Sequence, residues 1–247
     1  ATTLFFIFFL SFFCLFLFFF FFKQKTAYEV VDCDWSSDVC SSDLITVYHA
    51  VPTVEAAVKC AEAGVDGLVV EGAEGGGFKN PEEVSTLVLL QAIRAKVDIP
   101  LIAAGGITDG KGMAAAFALG AEGVQMGTRF VSAAESPVHA NYKNAIIEAN
   151  EAGTWVLNKK ASPCIRALKT ERTAKIHEDG LMPADTFANI LDLYFGGDME
   201  ASVGLAGQSV GLIDEVKSVK QIIEETVTEF FEITSRMGAC ADNKNFG

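Results

Sequence analysis

The chain has 247 residues, 50% of them hydrophobic, with a formal net charge of −13 and a pI near 4.6. That length holds one α/β barrel or two smaller domains, and the apolar half supports a sizeable core, which excludes wholesale disorder. The 19 basic residues are scattered, which excludes a nucleic-acid-binding surface built from clustered Lys and Arg.

Twelve of the 20 Phe lie between Phe5 and Phe22, so the averages describe two unlike pieces. Residues 1–22 carry no charge and are long enough to cross a bilayer. No basic residue precedes them and no small-residue cleavage site follows, so they do not read as a signal peptide. The next segments, KQKTAYE (Lys23 to Glu29) and DWSSDVCSSDL (Asp34 to Leu44), resemble in-frame translations of sequencing-library adapters. A Phe run then reads as a translated poly-T tract. Residues 1–44 are therefore set aside as an assembly artefact, and no membrane role is expected of them. A membrane-anchored protein is the competing reading. Residues 1–44 hold two Lys against Glu29, Asp32, Asp34, Asp38 and Asp43, so residues 45–247 keep a charge of −10. Their cysteines are Cys60, Cys164 and Cys240, an odd and widely spaced set that fits a reducing cytoplasm better than a disulfide framework. His49, His139 and His177 lack metal-ligand spacing and read as ordinary surface or loop residues.

From Ile45 short apolar runs alternate with helical periods. Ile45 to Val51 reads as a strand. Thr53 caps a helix with Val54, Ala57, Val58 and Ala61 on one face, which Gly64 ends. Gly67 to Gly72 is a buried strand. Asn80-Pro81-Glu82-Glu83 predicts a helix start, running to about Lys96. Ile99 to Ala104, a helix from about Gly112 to Leu119, and the strand Glu122 to Gly127 follow. The β-α-β-α-β-α-β order predicts a parallel sheet with helical crossovers, and its strands are continuously apolar, as when both faces are covered. Past Thr128 the pattern reads as helical, broken by AGQSVG (Ala206 to Gly211). A last amphipathic helix runs from about Asp214 to Met237, with Val216, Val219, Ile222, Ile223, Val227, Phe230, Phe231 and Ile233 on its apolar face. The predicted organisation is βα units with a phosphate site over 45–155 and a helical part of the same domain over 156–247.

Three Gly-containing loops follow three successive strands: EGAEGGGF (Glu71 to Phe78), AAGGITDG (Ala103 to Gly110) and VQMGTRF (Val124 to Phe130). Ligand sites of parallel α/β proteins gather at the carboxyl ends of strands, where Gly lets backbone N–H groups approach a phosphate. Tight turns use Gly as well, but three such loops in register favour a phosphate-bearing cofactor. There is no GxxxxGKS/T loop and no GxGxxG fingerprint.

The stretch IPLIAAGGITDGKGMAAAFALGAEGVQMGTRF, Ile99 to Phe130, resembles the flavin-dependent nitronate monooxygenases, formerly called 2-nitropropane dioxygenases. It is also similar to their sister group, the flavin-type enoyl-acyl-carrier-protein reductases. The resemblance extends from about Ile45 to Ile213. It implies the C-terminal half of a TIM (β/α)8 barrel plus C-terminal helices, holding FMN. Gly105 and Gly106 would then border the FMN phosphate with the backbones of Gln125, Met126, Gly127 and Thr128, the Thr128 hydroxyl adding a hydrogen bond. Gly72 and Gly77 match glycines that border the flavin.

Two departures stand out. The resembled families read Gly-Gly-His where this chain has Phe78, and Phe cannot transfer a proton, so the catalytic group is unassigned. Lys79 is adjacent and reads as a solvated loop residue. The resembled barrels also begin with several βα units that precede the point matched by Ile45. The implied function is oxidation of a small nitronate with O₂ by an FMN-dependent oxidoreductase. Alternatives are reduction of an enoyl thioester by NAD(P)H, or a fragment without activity because half a barrel leaves strand edges unpaired.

Overall fold

The structure, a computed structural model, describes residues 3–8, 17–22 and 46–242, with side chains over 46–239. Strands β1 (Thr3–Phe8) and β2 (Leu17–Phe22) form an antiparallel pair, Thr3 opposite Phe22. The Phe-rich run is thus extended where it is described, in line with the strand preference of aromatic residues. No helix among the described residues is long and apolar enough to cross a membrane. For the rest of residues 1–44 the artefact reading falls outside the described residues.

The central sheet has four parallel strands in chain order, β3 (Tyr48–Val51), β4 (Gly67–Glu71), β6 (Leu101–Ala104) and β7 (Gly123–Gln125). Helices α1 (Val54–Glu62), α2 (Thr86–Arg94) and α3 (Gly110–Ala118) are the crossovers. Each crossover advances one strand in the same direction. With right-handed connections, that winding puts every helix on one face, as in a (β/α)8 barrel and unlike a doubly wound sheet.

Burial follows the strand alternation. Leu68, Val70, Leu101, Ala103 and Val124 pack on the helix side with Leu89, Leu90, Ile93, Met113 and Ala116. Val69, Ile102 and Ala104 form a separate cluster with Tyr48 on the other face. Both faces are covered, which explains the continuously apolar strands. The fold class read from the sequence is the one observed.

Local signals set most boundaries. Thr53 Oγ1 accepts from Ala56 N at 3.1 Å and opens α1, and Gly64, at φ +87°, closes its C-terminal turn. Asp109 accepts from Gly112 N at 2.9 Å and opens α3.

Three expectations are corrected. Asn80-Pro81-Glu82-Glu83 is a turn: Glu82 N donates to Asn80 Oδ1 and Glu83 N to the Asn80 carbonyl, and Glu83 sits at φ +51°. The asparagine's local bonds outcompete helix, so α2 begins five residues after Pro81. The stretch past Thr128 is not wholly helical. After α4 (Thr128–Val131) and α5 (Ala140–Glu148), β8 (Thr154–Leu157) and β9 (Ile165–Leu168) pair antiparallel. Short β5 (Gly77–Phe78) joins β9 from the glycine-rich loop. Four-residue runs carry too little periodicity to be told from helix, and β5–β9 pairing spans nearly 90 residues. The Ala206-to-Gly211 break leads into a short 3₁₀ helix, Gln208–Leu212, beyond α6 (Glu171–Asp179) and α7 (Ile190–Tyr194).

Finally, the last helix, α8 (Val219–Asp242), starts later than Asp214 because Ser218 and Gln221 cap each other. Its Ile222 and Ile223 are buried, whereas Phe231 and Val216 are exposed. Glu229 of α8 accepts from Gly110 N at 2.9 Å, fixing this helix across the start of α3.

Candidate functional site

The three glycine loops converge because two positions have no side chain. A Cβ on Gly72 would run into the backbone N and Oγ1 of Thr86. A Cβ on Gly105, at φ +93°, would lie 2.9 Å from Gly75 N and 3.1 Å from Thr86 Oγ1. Thr86, the first residue of α2, is the knot. Its N and Oγ1 each lie 2.9 Å from Glu74 Oε2, and its Oγ1 lies 3.0 Å from the Ala104 carbonyl at the end of β6. The segment Leu205–Ser209 folds back onto these loops: Gln208 N donates to the Glu74 carbonyl, and Gly207 N donates to Thr128 Oγ1 at 3.0 Å.

Between the loops lies a cavity of about 210 Å³. Of the residues singled out in the sequence, Gly77, Gly105, Gly106, Gln125, Gly127, Thr128 and Phe78 line it. Gly72 and Met126 do not line it. Gly72 packs against Thr86 beneath the loop, and the Met126 side chain belongs to the helix-side core. The sequence reading missed Ala50, Glu71, Leu205 and Ser209, which complete the wall. A signal existed for Glu71, the one charged residue at the carboxyl end of the apolar run Gly67–Glu71. Leu205 and Ser209 gave none, since only the chain's return brings them to the loops.

Two features suit this cavity to an anionic group. A Cβ added to Gly127 would meet nothing within 4 Å, at an unstrained φ of −94°, so that backbone borders open space. Among the described residues, no protein acceptor is found for the N–H groups of Gly106, Gly127 and Thr128. Successive positive-φ residues such as Gly105 and Gly106 (φ +93° and +77°) turn neighbouring N–H groups towards one concavity, which attracts anions. Thr128 Oγ1 accepts from Gly207 N and keeps its own proton to donate.

An ionic framework supports the loop from below. Lys79 is not solvated as expected: its side chain is 3% exposed and its ammonium is bonded to Glu71 Oε1. Burial pushes its pKa below the ordinary lysine value, opposed by the Glu71 carboxylate. Arg166 of β9, also buried, donates from Nε to the Ala73 carbonyl at 2.8 Å and from NH1 to Thr154 Oγ1 at 3.0 Å. Its NH2 meets Glu83 at 3.3 Å, and Glu83 also pairs with Lys159. Phe78, in contrast, is 61% exposed at the cavity mouth. The histidines lie elsewhere: His139 accepts from Asn141 N at the start of α5, and His177 stacks on Trp155.

Comparison with known proteins agrees with this geometry. FabK from Thermotoga maritima shares 42% sequence identity, with a TM-score of 0.75, covering 79% of this chain and 64% of that one. A probable nitronate monooxygenase from Staphylococcus saprophyticus is 32% identical over 208 residues, covering 78% of this chain and 58% of the relative. The (3aS,4S,5R,7aS)-5-hydroxy-7a-methyl-1-oxo-octahydro-1H-indene-4-carboxyl-CoA dehydrogenase of Rhodococcus jostii is 29% identical over 239 residues, 79% of this chain and 67% of the relative. The chain thus spans about three fifths to two thirds of the length of these relatives. The family model described as nitronate monooxygenase matches residues 36–229, beginning inside the segment set aside on sequence grounds and covering most of the chain. With that match, and with the glycine loops gathered at the strand ends, the chain belongs to the nitronate monooxygenase family.

Proposed function

We propose that this chain holds the phosphate of FMN and serves an oxidoreductase that oxidises small nitronates with O₂. The observation that carries the reading is the open space beside Gly127, bordered by the acceptor-free N–H groups of Gly106, Gly127 and Thr128. These backbone donors and the Thr128 hydroxyl would hold the phosphate, and Gln125 and Gly77 border the same space. Bound FMN supplies the two-electron redox chemistry, and the protein contributes binding and orientation.

Phe78 forms an apolar lip at the mouth and transfers no proton. A nitronate is already an anion, so its oxidation requires no base at that position. Leu205 and Ile107 make the remaining wall largely apolar, which limits water near the reacting carbon.

A second reading is reduction of an enoyl thioester by NAD(P)H. FabK from Thermotoga maritima is 42% identical, and a carboxyl-CoA dehydrogenase is among the similar proteins. The exposed Phe78 suits an acyl chain as well as a small nitronate.

The test is to purify the chain, add FMN, remove the excess and record flavin absorbance. Turnover is then compared on a nitronate with O₂ and on an enoyl thioester with NAD(P)H. Retained yellow colour and O₂ uptake with nitronate are expected. A folded but colourless protein ends the flavin reading, and turnover on the thioester alone selects the second.

A further inference from the structure

Glu71 is the one ionisable side chain among the described residues that line the cavity. It ends β4, and its side chain is 30% exposed. Oε1 is held by the ammonium of Lys79, whereas Oε2 has no hydrogen-bond partner among the described residues. The pair passes directly beneath Gly75, where a Cβ would clash with both Glu71 Oε1 and Lys79 Nζ. A carboxylate in the wall of a small cavity, with one oxygen tethered and the other unbonded, has the parts of a held base: an acceptor, a residue that orients it, and space for the reacting atom.

We propose that Glu71 is the proton acceptor of this site, taking the α-proton of a neutral nitroalkane, with Lys79 as its positioning residue. The proposal deepens the nitronate reading and rests on it for the choice of substrate. In the step, the α C–H bond breaks and an O–H bond forms on Glu71 Oε2. The C–H electron pair makes a C=N bond while one N=O pair moves onto oxygen. The products are the nitronate, which is the proposed oxidation substrate, and a neutral Glu71 carboxyl that returns its proton to water at the mouth. Phe78 cannot perform this step, and Lys79, buried and bonded to the carboxylate, holds the acceptor in place instead.

The step consumes no oxidant, so it is measured apart from turnover. Deuterium wash-in at the α-carbon of nitroethane, followed by NMR in D₂O without O₂, reads it directly, with or without added FMN. The unaltered chain is expected to accelerate exchange over buffer. Glu71→Gln keeps an oxygen for Lys79 and should slow exchange by about 100-fold or more. Its melting temperature should fall, because the buried Lys79 ammonium loses its counter-charge, so exchange is read on a variant shown to be folded by circular dichroism. The loss on nitroethane should far exceed any loss of O₂ uptake with preformed ethyl nitronate. Lys79→Met should slow exchange about 10-fold or more by releasing the carboxylate, and Lys79→Arg should restore it, a rescue that mere structural support would not require.

Exchange no faster than buffer, or unaffected by Glu71→Gln, overturns the proposal. So does an equal loss on nitroethane and on ethyl nitronate. Failure to retain FMN refutes the flavin reading alone, because the exchange assay still decides the role of Glu71.

Discussion

Glu74 and Thr86 are bonded twice, Oε2 receiving the backbone N–H and the side-chain hydroxyl of Thr86, each at 2.9 Å. This pair fastens the loop after β4 to the first turn of α2. The Thr86 hydroxyl also lies 3.0 Å from the Ala104 carbonyl, so the loop after β6 is tied to the same point. Thr86→Val keeps the shape and removes the hydroxyl. A loss of about 1–3 kcal/mol is expected in urea unfolding, since buried acceptors lose their donor, together with weaker FMN retention.

Two glycines of the site should respond differently to alanine. Gly127→Ala places a methyl in open space at an ordinary φ, so stability should change by no more than about 0.5 kcal/mol. FMN affinity should fall by about tenfold or more, because that methyl occupies the proposed phosphate position. Gly72→Ala drives a methyl into the Thr86 backbone and should cost about 3 kcal/mol. Melting curves and flavin titration of the two variants separate the roles; normal FMN affinity in Gly127→Ala refutes the assigned phosphate position.

Lys79→Met should destabilise the fold by about 2–3 kcal/mol, less than for a fully buried pair because Glu71 is 30% exposed. Adding Glu71→Leu should recover much of that loss, since two apolar groups replace two desolvated charges. Chemical denaturation of the single and double variants measures both effects. A double variant no more stable than Lys79→Met contradicts the account.

Burial, with Glu122 and Asp66 adding repulsion, holds the Tyr48 phenol at a pKa of about 12, above its usual 10. The folded state therefore keeps the proton longer than the unfolded chain. The resulting stability is complete below pH 10 and is lost as pH rises towards 12. Relative to Tyr48→Phe, the parent should lose about 1–2 kcal/mol across that window, read from urea midpoints at successive pH values. A constant difference would place the phenol in a water-like setting.

Sequence alone determined the α/β class and the alternation of four parallel strands with helical crossovers, and it pointed to the carboxyl-end loops as the candidate site. Periodicity, caps such as Thr53 and helix-ending glycines such as Gly64 act within a few residues and are therefore written locally. Tertiary structure decided the rest. It sorted Gly72, which serves packing, from Gly127, which borders open space, since the difference lies in what each Cβ would meet. It showed Lys79 buried against Glu71, a contact made when β5 pairs with β9 and the loop closes over the carboxylate. Leu205 and Ser209 reach the cavity through the return of a segment more than 75 residues beyond Thr128. Such contacts depend on long-range pairing and burial, which no short window of residues encodes.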